Sequence, residues 1–376
     1  MPAVPVTHTN GGANLLNSIA AFGLAPQTRA LSDTPLDEFR WHQLVRSVRF
    51  ERLAGLLLDA IDAGALPVTE SQLAEAADVH AEALAVCMNS DRVLLQVAHQ
   101  LGTAGIGFRV LKGVACASLD YAEPSLRCYG DLDVLIESSG YSETIAALLR
   151  AGYVRAWPEL RAGFERRFGK GVVLVRDGFE LDVHRTLVSG YFGLAIDLED
   201  LFGRPATFEV AGVALPCLSA EQRFIHACYH AALARRPRLV PLRDIGQMLT
   251  SGHFDEADVV DCAFRWRGQS VVARGVRLAV ETLGLPEFSG IAMWARHFRA
   301  SKRDRRAISA YAGPRPAEAG RAVSALRIIP GVTGKAEFLR AMLVPDESYL
   351  GWAGQRRLSW LRRAKRALAR GTEDLP

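Results

Sequence analysis

The stretch Gly130-Asp131-Leu132-Asp133-Val134-Leu135-Ile136 is the most informative part of the chain. Its apolar residues predict a short strand over residues 132–136. Because side chains two positions apart in a strand point to the same face, Asp131 and Asp133 are expected to converge at the beginning of this strand. Two carboxylates held in this way suit a hard divalent cation such as Mg²⁺. The alternative is an exposed acidic pair, since Asp-x-Asp is common by chance.

A second pair of strands is predicted further along, over residues 171–184. Asp177-Gly178 separates two runs of strand-forming residues, which is typical of a hairpin whose turn needs positive φ at both central positions. On the second arm Glu180, Asp182 and His184 share one face. If this arm lies beside the strand of Asp131 and Asp133, a third carboxylate reaches the same place. Three convergent acids repel one another unless metal neutralises them. This arrangement favours two metal ions about 3.5–4 Å apart that assist an in-line displacement at phosphorus.

Upstream, a strand is predicted from Ile106 to Leu111 and a helix from Gly113 onward. Gly113 would let backbone approach a phosphate, the helix N-terminus would present free N–H groups, and Lys112 would add a positive charge. A solvated lysine at a turn is the alternative. With a further helix over residues 142–151, residues 105–187 read as a small α/β unit with mixed strand pairing.

The composition describes an ordinary folded protein. The chain has 376 residues, of which 49% are hydrophobic and 23% charged, with a formal net charge of +4. Residues 351–376 contain seven basic and two acidic side chains, so the remainder carries a net charge of −1. A neutral body makes nucleic acid an unexpected partner. No apolar run is long enough to span a membrane and no signal peptide is evident, so a cytoplasmic location is expected. The six scattered cysteines are expected to be reduced and mostly buried.

The sequence divides into three segments: a helical segment over residues 1–104, an α/β core over 105–215, and a helical domain over 216–376. The first is expected to be scaffold without chemistry, with one helical stretch over residues 37–63 and a capping box at Thr69 and Gln72 that opens another helix. Ser219 and Gln222 repeat that pattern. The last segment ends in a basic amphipathic helix over residues 356–370, expected to dock on the protein, although such helices can also bind anionic membranes or nucleic acid.

The motifs together resemble the nucleotidyltransferases of the DNA polymerase β superfamily. The resemblance rests on Leu111-Lys112-Gly113, on Arg127 three residues before Gly130, on the Asp131-Leu132-Asp133 strand and on Glu180-Leu181-Asp182-Val183-His184. It is greatest for an uncharacterised bacterial group of these enzymes. It extends to His226-x-x-x-His230, Arg243-Asp244-Ile245 and the segment from Pro345 to Leu350. One departure concerns the corner before the first helix, which is Gly-Ser or Gly-Gly in the wider superfamily and Lys112-Gly113 in this chain.

The resemblance implies a helix-rich α/β (α+β) fold: a polymerase β-like unit with a short mixed sheet, flanked by N- and C-terminal helical segments. It also implies a metal-dependent enzyme that transfers a nucleoside monophosphate, with AMP from ATP expected, to a hydroxyl of a small molecule, peptide or protein, and releases pyrophosphate. A catalytically inactive nucleotide-sensing module and an enzyme acting on tRNA or RNA ends are the alternatives. The sequence does not specify an oligomeric state.

The resemblance also assigns roles to residues. Asp131 and Asp133 would bind two Mg²⁺ ions, or Mn²⁺, and Asp182 would be the third carboxylate, with Glu180 as its competitor. The phosphates would lie near four residues: Lys112, Gly113, Arg127 and Gly130.

Three histidines remain beside these motifs. His184 could orient a carboxylate or meet the acceptor. His226 and His230 share one helix face without the glutamate of a metalloprotease motif, so they are expected to be core or supporting residues. Arg243-Asp244 is expected to be a structural pair that ties the later helices to the sheet.

Overall fold

A computed structural model describes residues 10–24, 30–286, 289–313 and 318–361. The described part of the N-terminal segment contains four helices: α1 (Asn10–Ala21), α2 (Glu38–Glu51), α3 (Ala54–Asp62) and α4 (Glu70–Thr103). The α/β part contains β1 (Phe108–Leu111), α5 (Gly113–Asp120), β2 (Leu132–Ile136), α6 (Tyr141–Arg150), β3 (Val154–Arg155), α7 (Phe164–Phe168), β4 (Gly171–Arg176), β5 (Phe179–His184), α8 (Gly190–Ala195), α9 (Asp200–Gly203), β6 (Ala206–Val210) and β7 (Val213–Cys217). The helices that follow are α10 (Ala220–Ala232), α11 (Leu239–Ser251), α12 (Glu256–Arg265), α13 (Gln269–Leu283), α14 (Gly290–His297), α15 (Lys302–Ala312), α16 (Glu318–Leu326), α17 (Val332–Leu343) and α18 (Glu347–Trp352).

The strands of the described chain form one mixed sheet in the order β3-β4-β5-β2-β1-β7-β6. β2 is central and buried along its whole length; it pairs in parallel with β5 and antiparallel with β1. The predicted strands and the β4–β5 hairpin are confirmed, and both turn residues, Asp177 and Gly178, have positive φ. The helix-rich α/β fold with a short mixed sheet is therefore also confirmed.

The sheet extends beyond the predicted unit. β6 and β7 form a second hairpin around Ala211 and Gly212, and β7 pairs in parallel with β1. The predicted boundary between residues 215 and 216 falls inside β7, so the α/β unit continues through Cys217.

The N-terminal helices are placed by two local signals. The predicted helical stretch over residues 37–63 is in fact two helices, because Arg52 adopts a left-handed conformation (φ 56°) that ends α2. The Thr69–Gln72 and Ser219–Gln222 capping boxes are both present, as predicted. The break after α2 turns the Arg52 side chain toward the sheet.

One continuous hydrophobic core joins the three segments. It contains Trp41 from α2, Leu135 from β2 and Trp266 beyond α12. α3 packs closely on the loop before β2: a Cβ added at Gly55 would lie 2.3 Å from the carbonyl oxygen of Ser125. The helical segments therefore fix the loop that leads into β2.

Two other expectations concern the cysteines and membrane spans. All six cysteines are free and buried, as predicted. Within the described residues no helix combines the length and hydropathy that crossing a bilayer requires. Most of the predicted basic helix over residues 356–370 lies outside the described residues, which end at residue 361.

Candidate active site

Two carboxylates lie side by side on the neighbouring strands β2 and β5, one near the start of β2 and the other in the second half of β5. The parallel register pairs Asp133 with Asp182, so both side chains lie on the same face of the sheet. Asp133 is 4% exposed and Asp182 is 23% exposed. The antiparallel register of β1 places Leu111 opposite Asp133, which brings the Lys112 corner to the same end of the sheet.

Cationic side chains and one imidazole surround this carboxylate pair. The ammonium of Lys112 donates to Oδ1 of Asp133 at 2.7 Å, and that of Lys170 donates to Oδ2 of Asp182 at 2.6 Å. Nε2 of the fully buried His184 lies 2.7 Å from Asp133 and 3.1 Å from Asp182. Its Nδ1 faces the carbonyl oxygen of Thr186 at 3.2 Å, which fixes the orientation of the ring.

These contacts keep both carboxyl groups ionised. Burial alone would raise the pKa of Asp133, but the charge of Lys112 and the contacts with His184 hold it well below its usual range. Burial likewise opposes ionisation of Asp182, yet His184 and Lys170 lower its pKa to about 2. The pKa of Lys112 is raised, since the attraction of Asp133 exceeds the effect of burial. The site is therefore a compact set of opposite charges.

Asp131 lies beside this carboxylate pair and has a cationic partner of its own. It precedes β2, its side chain is 56% exposed, and Arg52 donates to its carboxylate. Among the described residues, one group of side chains is close enough to hold a metal ion: Asp133, Asp182 and His184, whose ligand atoms all lie within 4.8 Å of one another. Neither Asp131 nor Glu180 belongs to this group. The structure thus brings Asp133, Asp182 and His184 together, with Asp131 held beside them by Arg52. Arg52 belongs to the N-terminal segment, which was expected to be scaffold alone, and it reaches the carboxylate of Asp131.

The corner between β1 and α5 is strained. Lys112 has φ 46° and ψ −143°, a conformation that favours glycine, and Gly113 follows with φ 30°. Such strain persists where the surrounding structure enforces it, and it is common at functional sites. Here the bend directs the Lys112 ammonium to Asp133 and places the first turn of α5 beside it.

A cavity of about 120 Å³ lies at this corner. Its lining is strongly basic: Arg52, Lys112, Gly113, Arg127, Asp131, His230, Arg238, Val240 and Pro241. Arg238, at the start of α11, stacks over Phe50 with its guanidinium carbon 4.4 Å from the ring centroid. The sequence did not predict that Arg52, Lys170 and Arg238 lie at the site. Arg52 is the left-handed residue that ends α2, and no sequence pattern marks it.

Arg127 lines this cavity but is already engaged. Its Nε and Nη2 donate to the two carboxylate oxygens of Asp244 at 2.8 and 2.9 Å, and its Nη1 donates to the carbonyl of Cys128. Asp244 therefore pairs with Arg127 and not with Arg243, which donates instead to the carbonyl oxygens of Ala20 and Phe22. As predicted, Arg243 and Asp244 are structural residues that tie α11 to the rest of the fold, and they do so through separate partners.

The remaining predicted residues lie around the pair. His226 is buried, and burial together with Lys112 and His184 lowers its pKa well below the usual range. His230 is exposed at the end of α10 and lines the basic cavity, where the surrounding protein and the charge of Lys112 lower its pKa. Gly130 packs against Val86, and Glu180 lies exposed on β5. Within the described residues, neither His226 nor His230 belongs to a cluster able to hold a metal.

The residues present fit a divalent metal. Asp133 and Asp182 provide ionised oxygens at adjacent register positions, which is the donor chemistry that Mg²⁺ and Mn²⁺ prefer. His184 is oriented through Nδ1 in the manner of imidazoles that ligate or support metals.

Comparison with known proteins places this geometry in a family. Residues 37–284, about two thirds of the chain, match the family described as "Uncharacterised nucleotidyltransferase". The chain belongs to this nucleotidyltransferase family. The matched residues include Arg52, the Lys112 corner, Asp133, Asp182 and Arg238, so the family assignment covers the whole candidate site and indicates a transferase of nucleotidyl groups.

The fold is similar to an antigenic nucleotidyltransferase-like protein from Paracoccidioides brasiliensis, with 16% sequence identity, a TM-score of 0.33, and coverage of 52% of this chain and 91% of that one. No curated protein matches the sequence.

Proposed function

We propose that this nucleotidyltransferase transfers a nucleoside monophosphate from a nucleoside triphosphate, with ATP as the expected donor, to a hydroxyl group and releases pyrophosphate. The observation that carries the proposal is the Asp133–Asp182 pair beside a cavity lined by Arg52, Lys112, Arg127 and Arg238. Carboxylates for metal next to a basic cavity for phosphates are what this reaction needs. It depends on positioning and charge neutralisation and needs no covalent catalyst.

Each group of residues has a part in this reaction. Asp133 and Asp182 would hold Mg²⁺ or Mn²⁺, which supplies charge neutralisation and polarises the phosphoryl oxygens. Lys112 and Arg52 now pair with carboxylates and can turn to phosphate oxygens when the triphosphate enters. Asp182, ionised and partly exposed on β5, can accept a hydrogen bond from the acceptor hydroxyl while Lys170 holds the carboxylate in place. The hydroxyl would give its proton to the Asp182 carboxylate as its oxygen bonds to the α-phosphorus, and the bond from that phosphorus to pyrophosphate would break.

The test is pyrophosphate release from ATP and Mg²⁺ over a panel of hydroxyl-bearing small molecules, peptides and proteins. We expect Asp133→Asn and Asp182→Asn each to reduce the rate by at least about 100-fold, since each removes charge that stabilises the transition state. Asp177→Asn is the matched control: it is the same substitution, on the exposed turn of the same hairpin, and should leave the rate unchanged. Formation of ADP and orthophosphate, or full activity in Asp133→Asn, would contradict the proposal.

A second candidate is a module that binds nucleotide without turnover. It is favoured by the contacts of both carboxylates, because Lys112, Lys170 and His184 already pair with one oxygen of Asp133 and one of Asp182. Tight binding of Mg²⁺ and ATP, with no pyrophosphate formed by any member of the panel, would support this function over catalysis.

A further inference from the structure

A second cavity lies next to the basic one and has a different character. It has a volume of about 240 Å³ and lies between α2, α4 and the loop before β2. Its walls are mostly apolar, with one charged pair, Arg49 and Glu82: Val48, Arg49, Arg52, Ala54, Val79, Glu82, Ala83, Val86, Cys128, Tyr129 and Gly130. This second cavity is called the helical cavity below.

The two cavities meet at one side chain. Arg52 lines both, and Gly130 in the helical cavity directly precedes Asp131 in the basic one. A ligand with an anionic end and a flat, less polar end would fill both. In a nucleoside triphosphate the phosphates match the basic lining, while the base can bury its faces against aliphatic walls and use the Arg49–Glu82 pair for polar contacts.

The position of Asp182 indicates that the acceptor does not occupy the helical cavity. Among the described residues, those that line the two cavities include Asp131 but neither Asp182 nor Lys170. Asp182 lies on β5, the strand next to β2. An acceptor hydroxyl that meets Asp182 therefore approaches from the β5 side, which leaves the helical cavity to the nucleoside end of the donor.

We infer that the helical cavity binds the nucleobase of the nucleoside triphosphate, and that Arg52 lies at the junction between base and phosphates. The inference rests on the proposed function and makes the N-terminal helices the part of the molecule that selects the nucleotide.

The experiment fills the cavity and compares two probes. Ala83, half-buried on α4, lines the helical cavity, whereas Ala85 is exposed on the same helix and does not. Binding of ATP and of inorganic tripolyphosphate, each with Mg²⁺, is measured by calorimetry for the full chain and for Ala83→Phe and Ala85→Phe. Val86→Trp is a second variant, at a lining position that is 48% exposed. Thermal unfolding of each variant reports whether it is folded.

We expect the wild-type chain to bind ATP more tightly than tripolyphosphate. In Ala83→Phe and Val86→Trp the affinity for ATP should fall at least tenfold, toward that of tripolyphosphate, while the affinity for tripolyphosphate stays the same. Ala85→Phe should bind both probes as the wild type does.

Other results overturn the inference and locate the error. Unchanged ATP affinity in folded Ala83→Phe and Val86→Trp, or an equal loss for both probes, shows that the base does not occupy the helical cavity, and the proposed function stands. Unchanged ATP affinity with lost turnover assigns the cavity to the acceptor instead. Failure of the wild-type chain to bind either probe contradicts the proposed function together with the inference.

Discussion

Removing one partner of the buried Arg127–Asp244 pair should be among the most destabilising single changes in the chain. Both side chains are less than 10% exposed, and Oδ1 of Asp244 also accepts from the hydroxyl of Tyr121 at 2.8 Å. Asp244→Ala would leave a buried guanidinium and a buried hydroxyl without their acceptor. Removing one partner of such a pair costs about 3–5 kcal/mol in the free energy of unfolding, because the remaining charge is desolvated and unpaired.

The assay is urea denaturation followed by tryptophan fluorescence. Arg127→Met combined with Asp244→Leu removes both charges, and it should lose much less stability than Asp244→Ala, since apolar replacement of a whole buried pair is often nearly neutral. Asp258→Ala breaks an exposed pair with Arg204 and should cost far less stability, because solvent screens both charges. A loss of that small size in Asp244→Ala, or additive losses in the double variant, would refute the reasoning.

The same variants separate two roles of Arg127. If Arg127 serves only to hold the loop before β2, the stable double variant should keep its affinity for ATP. If Arg127 also contacts phosphate, as its position in the cavity lining allows, the double variant should bind ATP more weakly while remaining folded.

Three further outcomes follow from the site. Gly171→Ala should lower the free energy of unfolding by about 1–3 kcal/mol, because the added Cβ would lie 2.1 Å from the carbonyl oxygen of Val183. Gly203 has open space around it, so the control Gly203→Ala should leave the free energy of unfolding unchanged. Thermal unfolding measures both variants. Without metal, Asp182 contributes about 2 kcal/mol of stability that is present above pH 4 and lost as the pH falls toward 2, because folding lowers its pKa. Urea denaturation at a series of pH values should show that the free energy of unfolding depends less on pH in Asp182→Asn than in the wild type. The same dependence on pH in both proteins would contradict this. Lys112→Gly should be about 1–2 kcal/mol more stable than Lys112→Ala, since both remove the ammonium and only glycine relieves the positive φ; equal stabilities by urea denaturation would show that the corner is unstrained.

Local patterns were sufficient to predict the centre of the fold. The apolar run after Gly130 gave β2, the Asp177-Gly178 turn gave the β4–β5 hairpin, and the period of two placed Asp182 and His184 on one face. The β6–β7 hairpin was missed because Ala211-Gly212 is a weak turn signal and its strands include exposed positions.

Contacts between distant segments could not be predicted in the same way. Arg52 and Asp131 are 79 residues apart and Arg127 and Asp244 are 117 apart, so their pairing depends on how the helices pack on the sheet. The sequence placed Asp131 with Asp133 from strand spacing alone. The structure begins β2 one residue after Asp131 and lets Arg52 hold its carboxylate, which spacing cannot reveal.

The most direct test of the account is a crystal structure of the full chain with Mn²⁺ and an ATP analogue that carries a methylene bridge between the α- and β-phosphates. Anomalous scattering locates the metal independently of the protein. We predict Mn²⁺ bound by Asp133 and Asp182, with the phosphates in the basic cavity beside Lys112, Arg52 and Arg238. Mn²⁺ bound elsewhere, or phosphates outside that cavity, would contradict the assignment of this site to nucleotidyl transfer.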